Sequence, residues 1–237
     1  MLNFVSTPAS QIDPENYTSL LNEKCKAITS AFEALGAPSP DIFSSPSLHF
    51  RMRAEFRVWH SRDEDDNSHC FYAMFDPQEP RKAIKVEQFP IVSTSIHSLM
   101  SPLMQDINAD ATLAKKLFQV EFLSSTLGEI VVTLIYHRQL DEQWQQCARQ
   151  LQDKHNIAII GRARKQKLVL SKDYVTERIE ILDKTYSYQQ KENSFTQPNA
   201  AINQKMIEWC SQYLASTKTN IQRDSMLEMY CGNGNFT

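Results

Sequence analysis

Apolar and polar residues alternate almost without interruption from Phe50 to Trp59. Phe50, Met52, Ala54, Phe56 and Val58 fall on one side of an extended chain, and Arg51, Arg53, Glu55, Arg57 and Trp59 on the other. A period of two predicts a half-buried strand, here with three arginines and an indole on its outer face. Cys70–Phe75 reads as the returning strand after an acidic turn at Asp63–Asn67, and Ile84–Phe89 as a third. Leu117–Leu123 and Glu129–His137 predict a hairpin around Gly128, and Asn156–Ile160 and Lys167–Leu170 are short strands. The period becomes helical after Asp13-Pro14, which suit a cap and a first turn. There Tyr17, Leu20, Leu21, Ile28, Phe32 and Leu35 share a face, and Gly36 can close the helix. Ile91–Ile107 and Leu140–His155 also have helical spacing, the second with Asp141 near its start, while Ala37–Leu48 is a Pro- and Ser-rich loop. These elements predict an α+β domain with a mostly antiparallel sheet.

A boundary is expected near residues 185–195. Tyr186–Gln190 reads as a connecting strand, Asn193–Asn199 as a polar loop and Ala200–Leu214 as a helix with Ile202, Met206, Ile207, Trp209, Cys210 and Tyr213 available for packing. Met226–Tyr230 predicts a short buried strand. Cys231-Gly232-Asn233-Gly234-Asn235 predicts the glycine-rich turn after the first strand of a nucleotide-type α/β fold, where glycine permits a tight turn and a close ligand. The chain has 5 glycines in 237 residues, against an ordinary usage of roughly 7%, and two lie in its last six positions. Taken alone, an ordinary turn between two strands reads equally well.

Composition narrows the chemistry. With 41% hydrophobic and 22% charged residues the chain is globular, and a net charge of -3 leaves no global basic footprint, so nucleic-acid recognition would rest on local patches. Five scattered cysteines without C-x-x-C spacing favour reduced thiols and a cytoplasmic protein. Six histidines show no metal-binding spacing. No signal peptide is evident, and no apolar run approaches the ~18 residues of a membrane span. Cys231 has neither His nor acid in its stretch to activate it and reads as a packing residue. Two basic groups remain. The Arg51, Arg53 and Arg57 face, with Trp59 beside it, suits phosphate contact with stacking, or a solvated face paired to Glu55. Arg162, Arg164, Lys165 and Lys167 suit RNA backbone contact, or a solvated turn.

Three stretches carry a resemblance: Phe50–His60 (F-R-M-R-A-E-F-R-V-W-H), Asn193–Asn199 (N-S-F-T-Q-P-N) and Leu227–Phe236 (L-E-M-Y-C-G-N-G-N-F). In that order and spacing the chain resembles the bacterial tRNA (uracil-5-)-methyltransferase family, which uses S-adenosylmethionine (SAM) to make the T-loop 5-methyluridine. Lys116–Gln119 and Gly161-Arg162-Ala163 match its tRNA branch. Some ribosomal-RNA relatives carry a four-cysteine iron–sulfur site, which the cysteine spacing here does not provide. The resemblance implies an RNA-binding domain over residues 1–189 and the start of a Rossmann-like, SAM-dependent methyltransferase domain over 190–237. It implies SAM contacts from Gln197, Tyr230 and Asn235, with Gly232 in the turn. Glu55 and Arg57 would face RNA beside Arg51 and Arg53, and Phe118 would pack into the remodelled T loop around a flipped-out base.

The implied partner is the tRNA T arm; no metal and no protein partner is implied, and a monomer is expected. Uracil C5 is a poor nucleophile, and the family makes it enolate-like by adding a Cys thiolate at C6. The C5 carbon then takes the methyl group, a base removes the C5 proton and the thiolate leaves. The resemblance places that Cys and the base, a Glu, beyond Thr237. No catalytic residue is therefore assigned, and the 237 residues alone are expected to be inactive. A stand-alone RNA-binding module is the alternative reading.

Overall fold

The first alternating stretch forms β1 (Arg53–Arg62), which buries Ala54, Phe56 and Val58 and exposes Glu55, Arg57 and Trp59. The structure, a computed structural model, describes residues 12–62, 68–75, 82–216, 227–229, 231–232 and 234–236. β1 begins three residues later than the alternation does, because Arg51 leaves the ladder to bridge Val92 and Asn199. β2 (Ser68–Phe75), β3 (Ala83–Lys85), β4 (Leu117–Ser124), β5 (Ile130–Tyr136), β6 (Ala158–Ala163) and β7 (Gln166–Val169) complete a seven-stranded sheet in the order β3-β2-β1-β4-β5-β6-β7. Every pair is antiparallel except β5–β6, whose parallel register needs a crossover. That crossover is α4 (Glu142–His155), capped by the Asp141 carboxylate, which accepts from Trp144 N at 2.8 Å.

α2 (Thr94–Ala109), α3 (Ala111–Ala114) and α4 cover one face of the sheet. The core between the layers contains Phe56, Phe122, Tyr136, Trp144, Ile96, Leu103 and Ile107, all buried. Gly161 on β6 lets α4 settle closely, since a Cβ there would stand 2.3 Å from Trp144 Cη2. The opposite face is divided. Over β4–β6 one part of it is apolar, and Leu123, Val131, Ala158 and Ile160 pack against Val175 of β8 (Tyr174–Ile181), which pairs with β9 (Lys184–Lys191) as a separate ribbon. Over β1 and β2 it carries Arg57 and Trp59, both exposed.

Several expectations change. The third strand shrinks to β3, α3 is an added turn, and Gly161-Arg162-Ala163 continues β6 instead of forming a basic loop. The connecting strand at Tyr186–Gln190 is the middle of β9, whose partner β8 the sequence did not reveal. There Glu177 occupies an inward position and is 1% exposed, its carboxylate accepting from Thr126 N and Oγ1. The first helix is α1 (Tyr17–Ala34), closed at Gly36 with φ +67°, yet none of its residues is buried. The acidic turn, Met226 and Tyr230 lie outside the described residues. Leu227–Met229 form no strand, and Leu227 and Met229 are exposed instead of buried. α5 (Ala200–Ser216) follows the polar loop as expected.

Candidate functional site

The sheet separates the three arginines that the alternation placed together. Arg57 is exposed, and its guanidinium carbon lies 3.9 Å from the centroid of the Phe118 ring. Phe118 in turn stacks on His137 at 3.9 Å with 27° between planes. Phe118 falls at the register shift between Leu117 and Gln119 in the β4–β5 ladder, and a bulge of this kind re-aims a side chain. Among the described residues Arg57 has no carboxylate partner. Glu55 lies beside this stack, and Gln119 Nε2 bridges it at 3.5 Å to Glu121 at 2.8 Å. Burial pushes the Glu121 carboxyl above its ordinary value; the Gln119 hydrogen bond opposes this, and Glu55 and Glu192 reinforce it. The sequence did not single out His137, because nothing in a linear reading places it against Phe118.

Arg53 turns to a different task. Its guanidinium donates to the carbonyl oxygens of Ser194, at 2.8 Å, and of Glu192. Burial lowers its pKa, while Glu121, Glu192 and Glu55 pull it back up. Arg51 sits before the strand, with its backbone bonded to Ile91 O and Ser93 N. The basic run is partly internal as well. Arg162 Nε and Nη2 reach the two carboxylate oxygens of Glu192 at 2.7 Å each, and Lys167 pairs with Asp173 at 2.9 Å and Glu192 at 3.5 Å. Arg164 and Lys165 stay exposed at the turn. Burial by itself would raise the Glu192 carboxyl, but the Arg162 hydrogen bonds and charge, then Lys167 and Thr133, hold it below the ordinary carboxylate range.

A second group forms where the polar loop meets the glycine turn. Gln197, Gly232 and Asn235 line one small cleft of about 100 Å³, together with Tyr188, Gln190, Phe195 and Cys231. Gly232 and Gly234 take φ values of +57° and +73°, which a side chain would strain, and Gly234 N donates to Cys231 O at 2.9 Å. Asn235 is fixed by a reciprocal amide pair with Asn203 of α5, at 3.0 and 2.6 Å. Asn203 is 3% exposed and was not foreseen; the available signal was a polar residue set among Ile202, Met206 and Ile207. The loop itself is held to the start of β1 and to Ser45. Pro198 O accepts from Met52 N at 2.7 Å, and Asn199 caps α5 through Ile202 N while its amide donates to Ser45 Oγ at 2.6 Å. Tyr230 lies outside the described residues.

This cleft is smaller than the roughly 300–1,000 Å³ of an enclosing ligand pocket, so these residues can hold one polar portion of a ligand but not surround it. Among the described residues no group of three His, Cys, Asp or Glu could hold a metal ion, and no helix is long and apolar enough to cross a membrane.

Residues 16–237 match the family described as tRNA (Uracil-5-)-methyltransferase. The chain is 44% identical over 230 residues to a tRNA/tmRNA (uracil-C(5))-methyltransferase of Aromatoleum aromaticum, covering 97% of this chain and 60% of that protein. It is 45% identical over 230 residues to the protein of that name from Chromohalobacter salexigens, covering 95% and 59%. The chain thus spans about 60% of the length of these curated relatives. It also resembles the crystal structure of Pyrococcus abyssi tRNA (uracil-54, C5)-methyltransferase in complex with S-adenosyl-L-homocysteine. The TM-score is 0.56 at 16% identity, over 89% of this chain and 52% of that one, a likeness of fold.

Proposed function

Because this chain belongs to the tRNA (uracil-5-)-methyltransferase family, we propose that its sheet domain binds the T arm of tRNA and that its glycine turn forms part of the SAM site for C5 methylation of the T-loop uridine. The observation that carries the RNA reading is the Arg57–Phe118–His137 stack. A guanidinium laid on an aromatic face keeps its N–H donors at its edge, where they suit phosphate oxygens. Stacked planar side chains accept an unstacked base by extending the stack, which is how RNA loops are commonly recognised. Glu55 and the Gln119 carbonyl oxygen beside the stack offer acceptors for base edges.

For SAM, the donor set fits. The Gln197 amide, the Asn235 amide held by Asn203 and the backbone of the turn at Gly232 would hold polar parts of the cofactor, which supplies the methyl group when bound. The F-T-Q-P-N loop presents Gln197 from a frame fixed by Met52, Ser45 and Arg53. Cys231 is exposed and hydrogen-bonded to no His or acid among the described residues, so neither the nucleophile nor the base is assigned within the 237 residues. The test is binding of a T-arm hairpin RNA across a salt series, run alongside transfer of labelled methyl from SAM. Arg57→Ala is expected to weaken binding and reduce the salt slope by about 1, and Phe118→Ala to weaken it with the slope kept. The polypeptide alone is expected to transfer no methyl. Affinity unchanged in both variants would refute the RNA reading, and methyl transfer by this chain alone would refute the assignment of catalysis elsewhere.

A further inference from the structure

We propose that Trp59 is a second stacking platform for an unpaired nucleotide of the same RNA, extending the contact beyond the Arg57–Phe118–His137 stack. The inference rests on the RNA reading above but on a different set of observations. Trp59 follows Arg57 by two positions and therefore shares its face, about 7 Å further along β1 at ~3.4 Å per residue. The β1–β4 ladder ends at Arg57–Gln119, two residues before Trp59, although β4 stays close enough for His60 Nε2 to meet Leu117 O at 2.7 Å. On the other flank the indole lies opposite Phe71 in the β1–β2 ladder and meets Phe75 edge-on, with centroids 6.0 Å apart at 65°. The indole is backed by aromatics yet 42% exposed, and among the described residues its N–H has no acceptor.

Trp is highly buried on average, and an indole supported from one side and open on the other leaves a face on which a planar ligand can lie. A protein partner of ordinary affinity would call for a contiguous apolar patch of several hundred Å². Arg57 on β1 and His69, opposite Ser61 on β2, share this face and suit a single planar base with its phosphate nearby. Stacking on an aromatic face accepts any base, since every base has a π-face. Trp59 would therefore add affinity without sequence discrimination, while the Glu55 and Gln119 edge groups beside Phe118 carry any base readout.

The experiment titrates labelled, unmodified tRNA against the 237-residue chain and its Trp59→Ala, Trp59→Phe and Arg57→Ala variants at several salt concentrations. Intrinsic fluorescence is followed in a Trp209→Phe background, which leaves Trp59 as the exposed indole beside the buried Trp144. Trp59→Ala is expected to weaken binding about 5- to 150-fold, the range for loss of one stacked base, with an unchanged salt slope. Trp59→Phe should retain most of the affinity, and tRNA should quench the Trp59 emission with saturation. If Trp59→Ala binds as the parent does while Arg57→Ala is weakened, the platform is refuted and the RNA reading stands. If the parent chain binds no tRNA, the RNA reading fails and the platform with it. Quenching absent at saturating tRNA also overturns the proposal, whether or not any variant folds poorly.

Discussion

Replacing Glu192 with Gln is the sharpest probe of how the ribbon is fixed to the sheet. The Glu192 side chain is 4% exposed and takes two 2.7 Å hydrogen bonds from Arg162, a third from Thr133 Oγ1 at 3.2 Å and a 3.5 Å contact from Lys167. Gln preserves shape but removes the charge and turns one acceptor into an NH₂ facing two cationic donors. Removing one partner of a buried ion pair costs about 3–5 kcal/mol. Arg162 and Lys167 each keep about a third of their side-chain surface in water and can rehydrate, so about 2–3 kcal/mol is expected here. At about 2–4 °C per kcal/mol for a chain of this size, the Tm should fall by roughly 4–12 °C.

The pH dependence provides a second reading. The folded-state carboxyl lies below its unfolded value, so its stabilisation is complete above the unfolded pKa of about 4.3 and is lost as pH falls through the folded value. Glu192→Gln should therefore flatten the acid limb of the stability curve. The assay is thermal unfolding by circular dichroism from neutral to acid pH, with a Glu192→Gln/Arg162→Gln double-mutant cycle. An unchanged Tm, or no coupling between the two substitutions, would refute the reasoning.

Two further substitutions test local packing. Gly161→Ala would place a methyl 2.3 Å from Trp144 Cη2 and 2.6 Å from Leu140 Cδ1, and should cost about 1–3 kcal/mol by overpacking. Chemical denaturation followed by Trp fluorescence measures it, and wild-type stability would show that α4 does not rest on β6 this closely. Asn203→Ala leaves the Asn235 amide without its partner and should cost about 1–3 kcal/mol. Amide exchange at Gly234 should accelerate, and equal exchange in the variant would mean that the pair does not hold the turn.

The alternation at Ala54–Val58, the cap at Asp141 and the glycines with positive φ were legible because each depends on near neighbours in the chain. What escaped depends on partners far apart in sequence. β8 hid behind Glu177, a buried carboxylate at an inward position whose partner Thr126 lies 51 residues away. Arg53, Arg57 and Arg162 look alike in the sequence. Only the path of residues 191–194 over the sheet commits Arg53 and Arg162 to Ser194 and Glu192 and leaves Arg57 open. The Arg57–Phe118 contact needs the register shift at Leu117–Gln119. For α1 the helix was legible but its inner face was not: the half-buried stripe runs through Tyr17, Leu21, Cys25 and Thr29, while Leu20, Ile28, Phe32 and Leu35 are exposed.

β1 also works as a gauge. At one end Met52 and Arg53 are tied to Pro198 and Ser194, the loop that carries Gln197, and at the other Arg57 carries the Phe118 stack. Four extended residue steps separate Arg53 from Arg57, or about 14 Å at ~3.4 Å per residue. Hydrogen-bonded neighbours on β4 keep that interval from stretching or bending. The two sites are thus spaced by covalent chain length, not by the docking of separate parts. Side-chain substitution can weaken either end but leaves the spacing intact. Inserting or deleting a single residue would change the interval and turn Arg57 to the opposite face.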